Sequence, residues 1–253
     1  MIALTRGVSP SIVRCELTHL AREPIDVDRA RAQHCAYEDA LMRLGYSVQR
    51  VPGGAELPDA VFIEDTAVVL PEIAIMARPG ASSRRSEVDA VAAALTPLRD
   101  LVWIEEPATL DGGDVLVVGT HVFVGRSSRT TDSGVEQLRH VLEPMGYRLT
   151  AVDTTGCLHL KSAACALSAN AVVINPRWVP IDLFERFEVV EIDPSEPHAA
   201  NIVSLGNGPV MASEAFPRTC ARLERRGFEV IRVDVSELAK AEGALTCCSL
   251  LVT

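Results

Sequence analysis

The chain has no apolar run approaching the roughly 20 residues that a bilayer-spanning helix needs, and its opening residues, MIALTRGVSPSIVR, hold too short an apolar stretch for a secretory signal. An excess of positive charge is also missing. Twenty-four Lys and Arg face 34 Asp and Glu, for a formal net charge of −10, which argues against a nucleic-acid backbone as partner. There is no Cys-x-x-Cys, and the seven cysteines (15, 35, 157, 165, 220, 247 and 248) are odd in number and irregular in spacing, so reduced thiols are expected rather than a disulfide framework. No linker, low-complexity segment or charge block divides the 253 residues. These absences lead us to expect a soluble, cytoplasmic protein with one domain spanning residues 1–253, and the 48% apolar content is ample for its core. Acidic balance serves solubility, and it also suits a cationic small-molecule substrate.

What is present is a repeat. A short apolar run, a tight turn and a second apolar run predict a hairpin, and an amphipathic helix and a further strand follow. The first copy takes Thr66–Leu70, Ile73–Ala77, helix Arg84–Leu95 and strand Leu101–Ile104. The second takes Val115–Val118, Val122–Val124, helix Val135–Pro144 and Arg148–Val152. The third takes Ala163–Leu167, Ala171–Ile174, a short helix at Ile181–Arg186 and Phe187–Ile192. The fourth takes Asn201–Leu205, Pro209–Met211 around a turn at Gly206–Gly208, helix Phe216–Arg226 and Glu229–Val233. The remainder is a strand at Cys248–Val252, a strand at Ile2–Thr5, helix Val27–Leu44 and strand Ser47–Val51. Joined in space, the two ends would make a fifth copy. The pattern predicts an α/β fold, a closed five-bladed pseudo-symmetric propeller of ββαβ units; strand counting by itself also admits an open α/β sandwich.

Closing a ring brings the starts of the first strands toward one axis. Those starts are polar: Pro58-Asp59 and Glu64-Asp65, Asp111-Gly112-Gly113-Asp114, His159-Leu160-Lys161, Ala200-Asn201 and Thr246-Cys247. Cys247 is the candidate nucleophile, since a thiolate attacks strongly once its pKa is lowered from about 8.5. Cys247-Cys248 begins the last strand in this reading, so alternation sends one thiol to the axis and the other to the core. His159 is a candidate acid and base, its ordinary pKa near 6.5 suiting proton transfer at neutral pH; a hydrogen-bonded core histidine is the plainer alternative. The Asp-Gly-Gly-Asp run suits a tight bend with close backbone approach as well as a catalytic carboxylate. Glu64-Asp65 beside Val61-Phe62-Ile63 would be costly facing inward unless a cation meets them, and a guanidinium satisfies several fixed carboxylates best. Arg84-Arg85 and Arg129 suit either solvated caps or a clamp on a substrate carboxylate.

Five runs, Leu57 to Asp65, Arg78 to Arg85, Thr109 to Val115, Leu158 to Ser162 and Leu245 to Ser249, stand in an order that resembles dimethylarginine dimethylaminohydrolase, a family of the guanidine-modifying pentein superfamily. The resemblance spans nearly the whole chain. It implies a five-bladed α/β propeller and hydrolysis of methylated arginine to citrulline, with Cys247 as nucleophile, His159 as general acid and base, and Asp111 gripping the guanidinium. It further implies substrate contacts from Asp59, Glu64, Asp65, Arg84 and Arg129, with Leu17 on a lid and the Ala241 carbonyl near the substrate amine. No metal or organic cofactor is implied, although a Cys–His pair could take up adventitious, inhibitory zinc. The implied partner is a small molecule, neither nucleic acid nor membrane, and the oligomeric state stands between monomer and homodimer. The rivals are an arginine deiminase, whose known members carry an added helical domain, a zinc protein using Cys157, His159 and Cys247, and a silent arginine-binding module.

Overall fold

The computed structural model describes residues 1–206 and 208–253. The chain begins with strand β1 (Ile2–Thr5), helix α1 (Val27–Arg43) and strand β2 (Ser47–Arg50). The next unit is β3 (Ala67–Val69), β4 (Ile73–Met76), α2 (Val88–Leu95) and β5 (Asp100–Trp103), and after it come β6 (Val115–Val118), β7 (His121–Arg126), α3 (Asp132–Leu142) and β8 (Arg148–Asp153). A one-turn helix α4 (Leu160–Ala163) leads into β9 (Ala164–Ala166), β10 (Ala171–Ile174) and β11 (Glu188–Glu191). Strands β12 (Val203–Ser204) and β13 (Val210–Ser213), helix α5 (Pro217–Arg225), strand β14 (Val230–Val233), helix α6 (Ser236–Ala239) and strand β15 (Leu250–Val252) complete the chain. The turn expected at Gly206–Gly208 includes Asn207, which lies outside the described residues.

The strands of the described residues form five sheets of three. In each, the hairpin pairs antiparallel and the strand after the helix returns parallel to the hairpin's second strand, as in β3–β4–β5 and β6–β7–β8. The fifth sheet is β15–β1–β2, in which Ile2 lies opposite Val252 and Ser47. The middle strands are the most buried: every residue of β10 and β13 is inaccessible, whereas β2 and β5 expose their outer positions. That is why the middle strands read as unbroken apolar runs.

A ring follows from two observations. Residues of β3, β6, β9, β12 and β15, one strand from each sheet, surround a single central cavity of about 400 Å³. The apolar side chains also gather into five clusters, each between neighbouring units. Phe123 and Leu116 meet Phe184 and Val172 in one, and Leu4 and Val252 meet Met76 and Leu95 in another. Each helix covers a seam and none covers a private core.

The long helices stop where glycine takes a left-handed conformation, at Gly45 (φ 85°), Gly146 (φ 89°) and Gly227 (φ 88°). Asp26 and Thr131 cap the starts of α1 and α3 by accepting backbone N–H groups. Three expectations change. The helix expected from Arg84 begins as a 3-10 turn over Ser82–Glu87 and becomes α-helical only at Val88, because Arg84 and Glu87 turn inward to pair with each other. The third unit's helix is a 3-10 turn at Ile181–Phe184 behind Pro180. Cys247-Cys248 does not open a strand but lies in the 3-10 turn Thr246–Cys248, so strand alternation does not separate the two thiols and both are buried.

Candidate active site

Short helical turns precede the first strands of four units: Ile63–Thr66, Gly112–Asp114, Leu160–Ala163 and Thr246–Cys248. Side chains from them converge at one end of the ring. A turn rather than a strand at these places lets consecutive residues point different ways, so Glu64 and Asp65 serve different cavities. Asp65, His159 and Cys247 line one small cavity together with Asp59, Arg84, Arg129, Ala241, Glu16 and Glu242. Glu64 lines the central cavity on the other side, with Lys161 and Thr246.

His159 is held by acids. Its Nε2 lies 3.0 Å from Asp111 Oδ2 and its Nδ1 lies 3.6 Å from Asp65 Oδ1. Burial alone would depress its pKa, but Asp65, Asp111 and Asp114 together raise it to about 10, so the ring is an imidazolium at neutral pH. Asp65 is itself held below the usual carboxylate range, His159 and Arg84 outweighing the cost of its burial. Cys247, 8% exposed, is pushed the other way. Burial raises its thiol well above the ordinary value, and the carboxylates of Glu64 and Asp65 add to the effect. The site without substrate therefore pairs a protonated imidazole with a protonated thiol.

The glycines of Asp111-Gly112-Gly113-Asp114 serve close approach rather than positive φ. A Cβ at Gly112 would lie 2.1 Å from the Glu64 carbonyl oxygen, and one at Gly113 would lie 2.6 Å from His159 Nδ1. The Gly113 N–H donates to Asp65 Oδ1 at 3.1 Å. Asp111 also receives the Gly80 N–H through Oδ1 at 2.9 Å, which leaves Oδ2 for the histidine.

The inward acids do meet cations, but these are the protein's own. The Arg84 guanidinium is buried and donates to Asp65, to Glu87 and to the carbonyls of Asp59 and Phe62. Glu64 accepts from Lys161 Nζ and from Thr246 Oγ1, each at 2.7 Å, which ties its side chain to the turn that carries Cys247. Arg129 differs: among the described residues no carboxylate lies within ion-pair distance of it, and its Nη2 donates only to Thr18 Oγ1, at 3.2 Å.

The segment around Leu17 closes the cavity. The Glu16 N–H donates to both Asp59 oxygens at 3.2 Å, and Glu242 accepts from the N–H groups of Thr18, His19 and Leu20. Leu17 packs against the adjoining apolar cluster, while Glu16 reaches the cavity wall. Asp59 is raised to about 6, chiefly by burial and only partly relieved by Arg84. The cavity is about 20 Å³, room for roughly one water.

Sequence reasoning left Glu242, Lys161 and Asp114 without roles. Glu242 carries no local signal; its φ of 57° is a left-handed conformation that a glutamate rarely adopts. The zinc-protein reading finds no support in the geometry. Among the described residues the groups close enough to share an ion are Asp65, Asp111 and His159; neither Cys157 nor Cys247 joins them, and Asp65 is already held by Arg84. No helix of the described residues is long and apolar enough to cross a membrane.

No family model matches the chain. It is 41% identical over 251 residues to an N(G),N(G)-dimethylarginine dimethylaminohydrolase of Streptomyces coelicolor, covering 98% of this chain and 95% of that one. The fold superposes with a TM-score of 0.93 on a dimethylarginine dimethylaminohydrolase of Pseudomonas aeruginosa, a cysteine-to-serine mutant complexed with citrulline, at 32% identity over 98% of this chain and 97% of that one. A second solved structure, a histidine-to-glycine form of a dimethylarginine dimethylaminohydrolase in an adduct with S-methyl-L-thiocitrulline, superposes at 0.92 with 32% identity, covering 98% of each chain.

Proposed function

Because the chain belongs to the dimethylarginine dimethylaminohydrolase family, we propose that it hydrolyses Nω-methylated arginine, dimethyl or monomethyl, to citrulline and dimethylamine or methylamine. One observation carries this reading: a buried thiol and an imidazolium share the wall of one small, acid-lined cavity. Such a site repels anions and favours a planar cation.

A substrate guanidinium entering the cavity meets Asp65, with Asp111 behind His159. Its positive charge removes the penalty that holds Cys247 protonated, so the thiol gives its proton to solvent and the thiolate forms as the substrate enters. Sulfur attacks the guanidinium carbon and gives a tetrahedral adduct. His159, already protonated, delivers its proton to the departing amine, and a thiouronium remains on Cys247. The imidazole, now neutral, takes a proton from water as that water attacks the same carbon; the C–S bond then breaks, the hydroxyl proton of the adduct passes to the departing sulfur, and citrulline leaves. Asp65 and Asp111 hold the imidazolium in place at the start and finish of each turnover.

Arg129, which has no carboxylate partner among the described residues, is the cation for the substrate carboxylate, and Arg84, on the same wall, adds the field of a guanidinium whose three nitrogens are engaged by Asp65, Glu87 and the Asp59 and Phe62 carbonyls. Asp59 and the Ala241 carbonyl stand where the substrate amine would lie. A cavity with room for about one water cannot admit an arginine, so the Glu16–Leu20 segment must swing away with Leu17 for entry. The reaction needs no metal and no organic cofactor, because nucleophile, acid and charge stabilisation all come from side chains. A reduced, cytoplasmic setting suits the thiol.

Incubation with asymmetric dimethylarginine, monomethylarginine, arginine and agmatine, with citrulline and amine assayed, tests the reading. Release of citrulline from the methylated forms is the expected result. Turnover of arginine alone would make the protein a deiminase, and binding without citrulline would make it a silent module.

A further inference from the structure

Asp114 is fully buried and lines neither cavity, yet its carboxylate ties together three parts of the site. Oδ1 accepts the N–H of Leu160, the residue after His159, at 3.0 Å. Oδ2 accepts the hydroxyls of Ser127 at 2.6 Å and Thr130 at 2.7 Å. Those hydroxyls pass the connection on. Ser127 Oγ accepts the N–H groups of Arg129 at 3.0 Å and Thr130 at 3.2 Å, and Thr130 Oγ1 accepts the N–H of Asp111 at 3.2 Å. One side chain thus fixes the turn carrying the imidazole, the loop carrying Arg129, and the backbone of the carboxylate that holds the imidazole. Gly125 makes room for it, since a Cβ there would lie 2.7 Å from Asp114 Oδ1.

We propose that Asp114 is a positioning residue of the hydrolase, holding His159 and Arg129 in one register so that the scissile carbon and the substrate carboxylate are gripped together. The inference rests on the hydrolase reading above. The chemistry of the donors makes a carboxylate necessary. Leu160 offers only an N–H, and both hydroxyl oxygens already accept backbone N–H groups, so their protons must go to Asp114. An asparagine turned either way sets its NH2 against one of these donors.

Two variants test the two arms. Ser127→Ala cuts only the Arg129 branch and is expected to raise KM for methylarginine about tenfold with kcat within about twofold. Asp114→Asn cuts both, and is expected to lower kcat by about 10² as well, the penalty of a reacting group displaced by about an ångström. Because Ser127 acts through Asp114, the double variant should match Asp114→Asn in KM within about twofold. The His159 titration in Asp114→Asn, followed by NMR, should move down from about 10 as one of its carboxylates is lost; this readout does not need turnover. Multiplying effects in the double variant, or an Asp114→Asn enzyme with parental kinetics and parental His159 titration, would overturn the proposal. A parent that titrates as described but releases no citrulline would instead overturn the hydrolase reading. If Asp114→Asn does not fold, the Ser127→Ala split between KM and kcat decides the Arg129 arm by itself, and its absence counts against the proposal.

Discussion

Replacing Gly113 with alanine puts one methyl group between the two charges that govern the imidazole. Its Cβ would lie 2.6 Å from His159 Nδ1 and 2.7 Å from Asp65 Oδ1, where ordinary contact begins near 3.4 Å. The ring or the carboxylate must therefore retreat by about 0.8 Å. Neither is free to do so cheaply, because Asp111 holds the ring at 3.0 Å and Arg84 holds Asp65. Overpacking of this kind costs about 1–3 kcal/mol, which in a chain of this size lowers Tm by roughly 2–12 °C. The effect on turnover should be larger, a fall of about 10² in kcat/KM, since a proton donor displaced by this much no longer meets the leaving nitrogen. The histidine should also titrate closer to 6.5 than to 10 as it separates from Asp65. Citrulline release, thermal unfolding and NMR titration follow the three effects. Gly7→Ala is the control, because nothing lies within 4 Å of a Cβ there and its activity should match the parent. A Gly113→Ala protein with kcat/KM within about threefold of the parent and His159 still near 10 would refute the argument that this glycine exists to admit the ring.

Cys247→Ser should abolish citrulline release, whereas Cys248→Ser, altering a fully buried packing residue, should keep most of it; the reverse outcome in the same assay would make Cys248 the nucleophile. Lys161→Met leaves Glu64 buried without its cation and should cost about 3–5 kcal/mol in denaturant unfolding, with much of the loss regained in the Glu64→Gln/Lys161→Met double variant; equal losses in both would show that the pair is not coupled. His159 binds its proton more tightly folded (about 10) than unfolded (about 6.5), so its contribution to stability is complete below pH 6.5 and is lost as pH rises toward 10. The difference in Tm between the parent and His159→Gln should accordingly be widest below pH 6.5 and narrow toward pH 10, and a difference constant across that range would contradict the raised pKa.

Much of the ring was legible in the sequence because its parts are local. Tight turns between apolar runs and glycines after long helices mark elements a few residues at a time, and Gly45, Gly146 and Gly227 stop their helices as their positions suggest. The thiol, imidazole and acids were legible through ordered motifs. What escaped depends on through-space pairing. Nothing in Glu64-Asp65 tells that Arg84 and Lys161 supply the cations from 19 and 97 residues away, or that adjacent acids serve different cavities. The 3-10 turn at Cys247 was missed because its apolar neighbours equally suit a strand start. Asp114 looked like half of a bend, since its three donors lie at residues 127, 130 and 160.

The antiparallel pairing of β15 with β1 places Cys247, the nucleophile we propose, at the seam where the circle is joined. Without that pairing the imidazole, the acids and the Arg129 loop keep their places in the other units, but the thiol loses the strand that anchors its turn. Reactivity toward a guanidinium thus depends on β15 staying paired with β1, and a perturbation that opens this pairing should silence the chemistry before most of the molecule has loosened.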